Sequence, residues 1–379
     1  MAFRGRSVHS DRRRLRGALG DGRRGGSSVP PPLGDVLATI QHRDLDDCTT
    51  ESHCPFQITN TKYLTSYNWV RGNHEVIVPA WTPLSEPTQL RPDSSVYFRD
   101  LNMARYPTYP LEPMVRAILK DIPRFCGDDL DIVGCAEERI RPKKPSGMSK
   151  DMDTLRGVRN SESHQRLIKF EFANMNFLVR FEADGYLPDL IPGNLKTQEE
   201  PVHIKSHMEP EDLLSSIKAA SISIDPSETS EQEAIDLKIS KGGRYIPQCA
   251  IFDLKTRSVK KEHIDTLSEE MGRLWIRQIP NFILAYHKSG KFDDIRVQDV
   301  RENMKQWEES EQPDLQRFAT LLQTIISFAR STENERLELE HGADEEVLNI
   351  RVPGGIVNSV LPPALADRWN ARSGSVTNS

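Results

Sequence analysis

The sequence predicts an α/β fold: a mixed, strongly bent β-sheet flanked by helices. Three observations predict it. "HQRLIKFEF", a short turn "ANMN" and "FLVRFEADGY" read as a hairpin of two partly alternating strands. The apolar run Cys249 to Phe252 in "PQCAIFDLKTRS" reads as a buried strand. The helix "HIDTLSEEMGRLWIRQ" and the strand "NFILAYHKSGKF" come next, giving hairpin, strand, helix, strand in order from 164 to 292.

The chain has 379 residues, a net charge of −6, 28% charged residues and 25 prolines, so part of it is expected to lie outside any packed core. Residues 1–45 are expected to be a disordered tail. "MAFRGRSVHSDRRRLRGALGDGRRGG" is rich in Arg and Gly and has no lysine, a composition suited to RNA contact or nuclear import, and "SSVPPPLGD" is a stiff linker. Residues 46–352 are expected to form one domain. From "PFQITNTKYLTSYNWV" onward aromatic and β-branched residues signal strand. "LEPMVRAILKDI" places Leu111, Met114, Val115, Ile118 and Leu119 at helical spacing. Residues 136–163 are polar and read as a loop, and 187–240 as a surface insertion with a weak helix in "EDLLSSIKAA".

After the hairpin and the apolar strand, the helix "HIDTLSEEMGRLWIRQ" sets Ile264, Leu267, Met271, Leu274, Trp275 and Gln278 on or near one face. "LQRFATLLQTIISFARS" is a strong amphipathic helix. "RLELE" and "VLNIRV" are short closing strands, and 353–379 is expected to be a disordered tail. No apolar run approaches the ~18 residues that span a bilayer. The N-terminus lacks the apolar segment of a secretory signal. A soluble protein with no membrane partner, nuclear or cytoplasmic and not secreted, is therefore expected. Five scattered cysteines fit free thiols and show no zinc spacing.

Residues two apart on a strand share a face. Asp253 and Lys255 thus point the same way at the end of one strand, and Glu182 and Asp184 at the end of another. If those strands are neighbours, three carboxylates and one ammonium converge. Close carboxylates repel and raise one another's pKa unless a cation neutralises them. Mg²⁺ or Mn²⁺ bound by oxygen ligands meets that need, and a metal with a lysine suits phosphodiester hydrolysis. A second "DLK", Asp236 to Lys238, follows the polar "SEQEA" and reads as surface.

The ordered set "FEAD", "FDLKT" and "LWIRQIPNFILAYHKSG" resembles the decapping exoribonuclease family (DXO and its fungal relatives), a branch of the PD-(D/E)XK nucleases. That family shows an E-x-D strand end, an (E/D)-Φ-K-T strand end, and a W-x-x-Q helix end followed by an apolar strand. "PDSSVYFRDLNMARYPTYPLEPMVRAIL" is similar to its segment leading into a helix. A fungal group of homologues shares "SHQR", "FEADGY", "FDLKTRS" and "QIPNFILAYH" more closely still, which suggests a divergent fungal homologue. The resemblance spans roughly residues 60–300 and implies a PD-(D/E)XK nuclease-like fold.

By this resemblance Asp184 and Asp253 would be metal ligands, with the Leu254 carbonyl, and Glu182 a ligand through water or a substrate contact. Lys255 and Gln278 would hold the nucleophilic water and the scissile phosphate. Lys255, Gln278 and Glu182 are thus the expected catalytic residues, and Asp184, Asp253 and Glu182 the expected ligands of Mg²⁺ or Mn²⁺. The implied partner is an RNA 5′ end, capped, NAD-capped or triphosphorylated, alongside an RNA-processing protein. Here an Asp stands where the family more often has Glu in the DLK motif. The family's upstream arginine and glutamate motifs have no match in 136–163, although Arg139 and Arg141 lie near a suitable place.

Two other readings stand beside metal-dependent RNA 5′-end hydrolysis. One is a catalytically impaired nuclease-fold module that binds RNA or a protein. The other is a polyprenyl (geranylgeranyl) diphosphate synthase-like protein, from the spacing of Asp293, Asp294 and Asp299 in "FDDIRVQDV". That class needs an all-helical fold.

Overall fold

A computed structural model describes residues 5–8, 33–46, 55–70, 75–79, 109–136, 161–192, 237–332, 335–342, 346–355 and 357–370. The strands in chain order begin with β1 (Gly5–Val8), β2 (Val36–Gln41), β3 (Thr59–Val70), β4 (Glu75–Val78), β5 (Ile132–Cys135), β6 (Ser161–Phe172) and β7 (Met175–Glu182). They continue with β8 (Gly185–Tyr186), β9 (Lys238–Lys241), β10 (Ile251–Ser258), β11 (Asn281–Lys288), β12 (Lys291–Asp299), β13 (Glu338–Gly342) and β14 (Val347–Arg351). The helices are α1 (Glu112–Asp121), α2 (Thr266–Arg277), α3 (Arg301–Ser310), α4 (Gln312–Ser331) and α5 (Pro363–Asn370). The class is the expected mixture of helices and mixed sheets. The expected single bent sheet is, among the described residues, three hydrogen-bonded ladders.

The largest runs β5-β7-β6-β3-β4-β9, with β5/β7 and β4/β9 parallel and the rest antiparallel. Its centre is the hairpin β6–β7, turned by Ala173 and Asn174 at φ 50° and 61°. Two consecutive positive φ values make a two-residue turn whose twist matches the strands, so β7 starts at Met175, inside the expected turn. The second ladder runs β12-β11-β10-β8. β10 and β11 are parallel and joined by α2, while β8 and β12 pair antiparallel at the flanks.

The bend is the passage between these two ladders. Ala183 N still donates to His164 O at 3.1 Å, and from Gly185 the chain pairs instead with Phe252 on β10. Gly185 is required there: a Cβ would sit 2.2 Å from the Phe252 ring. "FEADGY" is therefore the crossing point, and Asp184 arrives beside β10 for that reason.

One core lies between the β6–β7 hairpin, the second ladder and helices α2 and α4. It holds Phe170, Phe177, Phe181, Trp275, Phe282 and Leu315. The opposite face of the large sheet is covered by α1 and α5, through Met114, Val115, Ile118, Leu365 and Trp369. Leu167 and Ile168 are fully buried on opposite faces of β6, so this strand is sealed on both sides. Among the described residues no helix is long and apolar enough to cross a membrane.

Three expectations change. Residues 36–41, assigned to the N-terminal tail, form β2 and pair with β14, and Gly5–Val8 pairs parallel with β13. Ile40, Ile325 and Ile350 make a small core of their own there, which supplies the burial that the tail's composition does not advertise. Within the expected C-terminal tail, Pro363–Asn370 is helical, because Leu365 and Trp369, four apart, reach the α1 core. Asp293, Asp294 and Asp299 lie on strand β12, not on a helix. Ser289 and Gly290, at φ 53° and 85°, turn β11 back into an antiparallel partner. That removes the diphosphate-synthase reading. Arg139, Arg141, Asp236, "EDLLSSIKAA" and "PDSSVYFRDLNMARY" lie outside the described residues.

Candidate functional site between β10 and α2

Helix α2 is built to face β10. Asp265 caps it, accepting from Ser268 N at 3.1 Å and from the Ser268 hydroxyl at 2.7 Å. Those hydrogen bonds hold the Asp265 carboxyl below its ordinary range. Met271, Leu274 and Trp275, spaced i, i+3, i+4, bury one stripe in the core. The Trp275 indole donates to Glu308 Oε1 at 2.8 Å and so ties α2 to α3. The neighbouring stripe carries Glu270, Arg273 and Arg277 and lies over the polar end of β10.

Asp253 is 2% exposed. Arg273 Nη2 donates to its Oδ1 at 2.8 Å and Arg277 Nη1 to its Oδ2 at 3.2 Å. Arg277 reaches further, donating from Nε to Ala136 O at 2.8 Å and from Nη2 to the same oxygen. Lys255 is paired with Glu270 Oε1. Glu270 also receives Arg273 at 2.7 Å and Arg257 at 3.5 Å, and Arg257 lies 3.6 Å from Glu269. Alternating charges on β10 (Asp253, Lys255, Arg257) thus meet complementary charges on α2 in register.

A buried carboxylate is costly unless paired and hydrogen-bonded, and two guanidinia supply both here. For Glu270 burial acts to raise the carboxyl. The Lys255 hydrogen bond, then the charges of Arg273, Lys255 and Arg257, outweigh it and hold the group below its ordinary value.

The remaining expected site residues are placed as follows. Asp184 is half-buried at the crossing between ladders, and its Oδ2 accepts from Leu254 N at 2.8 Å. The "FEAD" and "FDLK" strand ends are therefore adjacent. Glu182 is the exposed last residue of β7. Gln278 follows α2 in the left-handed region at φ 50°. Its Nε2 turns back to Trp275 O at 2.7 Å, its Oε1 accepts from the Thr61 hydroxyl at 3.4 Å, and its carbonyl accepts from Gln248 Nε2 at 2.9 Å. Of the second "DLK", Lys238 sits exposed on β9, 3.4 Å from Glu75.

A hard divalent cation needs several oxygen ligands converging on one point. Among the described residues no group of three or more His, Cys, Asp or Glu is placed to hold a metal. Glu182, Asp184 and Asp253 do not make one. Both oxygens of Asp253 face guanidinia. As arranged, these residues do not fit Mg²⁺ or Mn²⁺.

Arg273, Arg277 and Glu270 were not among the expected site residues. The signal for them was present: Glu270 and Arg273 are three apart and Arg273 and Arg277 four apart, one stripe on a helix whose adjacent stripe is apolar.

The family model for "Domain of unknown function (DUF8563)" matches residues 153–368, more than half of the chain. The protein belongs to the DUF8563 family. Among solved structures, the chain is similar to a mutant S. pombe Rai1 in complex with 3′-FADP, at 10% identity and a TM-score of 0.44, covering 83% of this chain and 98% of that one. It is also similar to Scheffersomyces stipitis Rai1 in complex with (3′-NADP)+ and calcium ion, at 9% identity and a TM-score of 0.33, covering 55% and 47%. Candida albicans Rai1 in complex with pU5-Mn2+ matches over the same shares at 8% identity and a TM-score of 0.31. No curated protein sequence matches the chain.

Proposed function

We propose that this protein is a nuclease-fold module that binds RNA 5′ ends and does not hydrolyse them through a metal. The observation that carries it is Asp253, the carboxylate central to the motif, held by Arg273 and Arg277 at 2.8 and 3.2 Å. Two guanidinia already neutralise the charge that a divalent cation would neutralise, one hydrogen-bonded to each oxygen. The RNA half of the reading rests on the ordered resemblance of "FEAD", "FDLKT" and "LWIRQIPNFILAYH" to the decapping exoribonucleases. Capped, NAD-capped or triphosphorylated 5′ ends are the ligand class, with an RNA-processing protein as partner and a nuclear or cytoplasmic place of action.

Metal-dependent hydrolysis at the same ends is the second reading. The contact of Asp184 with the Leu254 amide favours it, because it seats two of the expected Mg²⁺ or Mn²⁺ ligands on adjacent strand ends. It requires the cation to share the Asp253 oxygens with Arg273 and Arg277 or to displace them. In it Lys255 and Gln278 would hold water and phosphate, and Glu182 would contact the metal through water.

The test is incubation of the full chain with RNAs of each 5′ end, with Mn²⁺, with Mg²⁺ and with chelator. Binding and products are both measured, for wild type, Asp253→Ala and Asp236→Ala. Binding that persists in chelator with no product supports the first reading. Product that needs metal and Asp253 but not Asp236 overturns it in favour of the second. Wild type that neither binds nor cleaves any of these RNAs overturns both.

A further inference from the structure

Between β9 and β10 the chain runs through Gly242 to Ala250 and lays an aromatic side chain against β3. Tyr245 is 39% exposed. Its ring meets Tyr63 edge-on, with centroids 5.0 Å apart. Arg166, fully buried, stacks its guanidinium 4.4 Å from the centre of the Tyr63 ring and donates to Ile246 O at 3.0 Å. One buried cation therefore fixes both Tyr63 and the backbone just after Tyr245. Burial lowers the Arg166 pKa to about 10 and raises that of Tyr63.

On the other side of Tyr245, Arg244 donates to the Tyr186 hydroxyl at 2.5 Å, so the segment is also pinned to β8. The place is next to the candidate site. Thr61, two residues before Tyr63 on β3, reaches Gln278. Gln248, three residues after Tyr245, donates to the Gln278 carbonyl.

An exposed tyrosine on an irregular segment ordinarily costs conformational entropy to hold still. Here the segment is held on both flanks and Tyr63 packs edge-on with the ring, while the residue keeps more than a third of its surface in solvent. That is the form of a stacking platform. Single-stranded RNA is recognised by stacking unstacked bases on such aromatics, beside cations that take the phosphates.

We propose that Tyr245 is a base-stacking platform for a nucleotide of single-stranded RNA whose end lies at the β10–α2 site, with Tyr63 and Arg166 as its positioning residues. This rests on the RNA-binding reading given above. The ligand is single-stranded, because a base stacked between neighbours inside a duplex has no free face to present to a side chain.

The test is fluorescence anisotropy of the full chain with a five-nucleotide single-stranded RNA labelled at its 3′ end. Tyr245→Ala is expected to weaken binding about tenfold, and Tyr245→Trp to restore it. The salt dependence is expected to stay unchanged, since no phosphate contact is removed. A five-unit abasic RNA is expected to bind wild type and Tyr245→Ala equally. Wild-type affinity in Tyr245→Ala overturns the proposal and leaves RNA binding intact. So does an equal loss on the abasic strand, or failure of Trp to restore binding. Wild type that does not bind the five-nucleotide RNA overturns this proposal together with the reading beneath it.

Discussion

Arg277 Nη1 donates to Asp253 Oδ2 at 3.2 Å, with side chains only 6% and 2% exposed. The same guanidinium holds Ala136 O, so a single side chain joins α2, β10 and the chain after β5. Removing one partner of a buried pair leaves the other charge without compensation and typically costs ~3–5 kcal/mol. In Arg277→Met the Asp253 carboxylate keeps only its Arg273 hydrogen bond, so the unfolding free energy read from urea titration is expected to fall by up to that amount. Adding Asp253→Asn is expected to restore part of it, since the carboxylate left with one guanidinium in place of two is then gone. Wild-type unfolding of Arg277→Met would show that the pair is not formed in solution.

Glu270 gives the network a pH dependence. Burial pushes its carboxyl up, but Lys255, Arg273 and Arg257 hold it below the ordinary 4.5. A depressed folded pKa means that the unfolded chain binds the proton first. The stabilisation is therefore complete above the unfolded value and is lost as pH falls through the folded one. The stability gap between wild type and Glu270→Gln is expected to be steady near neutral pH and to shrink once pH drops below that ordinary value. Urea midpoints at a series of pH values read it, and a gap that widens on acidification contradicts the assignment.

Much of this architecture was legible from periodicity. "HQRLIKFEF" and "FLVRFEADGY" alternate enough to declare the hairpin, and the run ending in "FDLKTRS" declared β10 because both of its faces are covered. That the "FEAD" and "FDLK" strand ends are neighbours was a condition in the residue pattern and an implication of the resemblance, and the Asp184–Leu254 hydrogen bond meets it. What the motif could not carry was its helix-side complement. Glu270, Arg273 and Arg277 form a charged stripe beside the apolar one, a pattern that suits solvent as well as a charged strand, and only the packing of α2 on β10 turns it inward. Likewise Leu361, Leu365 and Trp369 recur every four residues, but the stretch is short, broken by Pro362 and Pro363 and followed by the polar "NARSGS". Its burial comes from α1, about 250 residues earlier in the chain. A local period that short does not say that its partner lies so far away in the chain.

Gly185 is the point where "FEAD" is laid against "FDLK". Its missing Cβ makes room for the Phe252 ring, which would otherwise lie 2.2 Å from it. Phe252 is itself 1% exposed, so the ring has no free space to move into. Gly185→Ala is expected to cost ~1–3 kcal/mol by overpacking. It is also expected to pull Asp184 from the Leu254 amide and expose that amide to hydrogen exchange. A Leu254 amide as protected as in wild type would mean that β8 is not held against β10 as described.

Gly127 tests whether the last helix is part of the domain. Gly127 N donates to Trp369 O at 2.9 Å, and the Trp369 ring lies 5.3 Å from Phe125, tilted across it. A Cβ on Gly127 would fall 2.1 Å from Trp369 Nε1. The indole is 8% exposed and packed with Leu365 over α1, so it yields only by lifting α5 away. Gly134, on β5, is the internal control: a Cβ there meets nothing within 4 Å. Gly127→Ala is expected to lose ~1–3 kcal/mol through overpacking. Gly134→Ala is expected to stay within about 0.5 kcal/mol of wild type, as surface substitutions do. Tryptophan emission separates the two outcomes further. Lifting Trp369 into water shifts the spectrum to the red in Gly127→Ala before unfolding begins, and leaves Gly134→Ala unchanged. Equal stabilities and spectra for the two variants would mean that α5 does not cover α1 in solution.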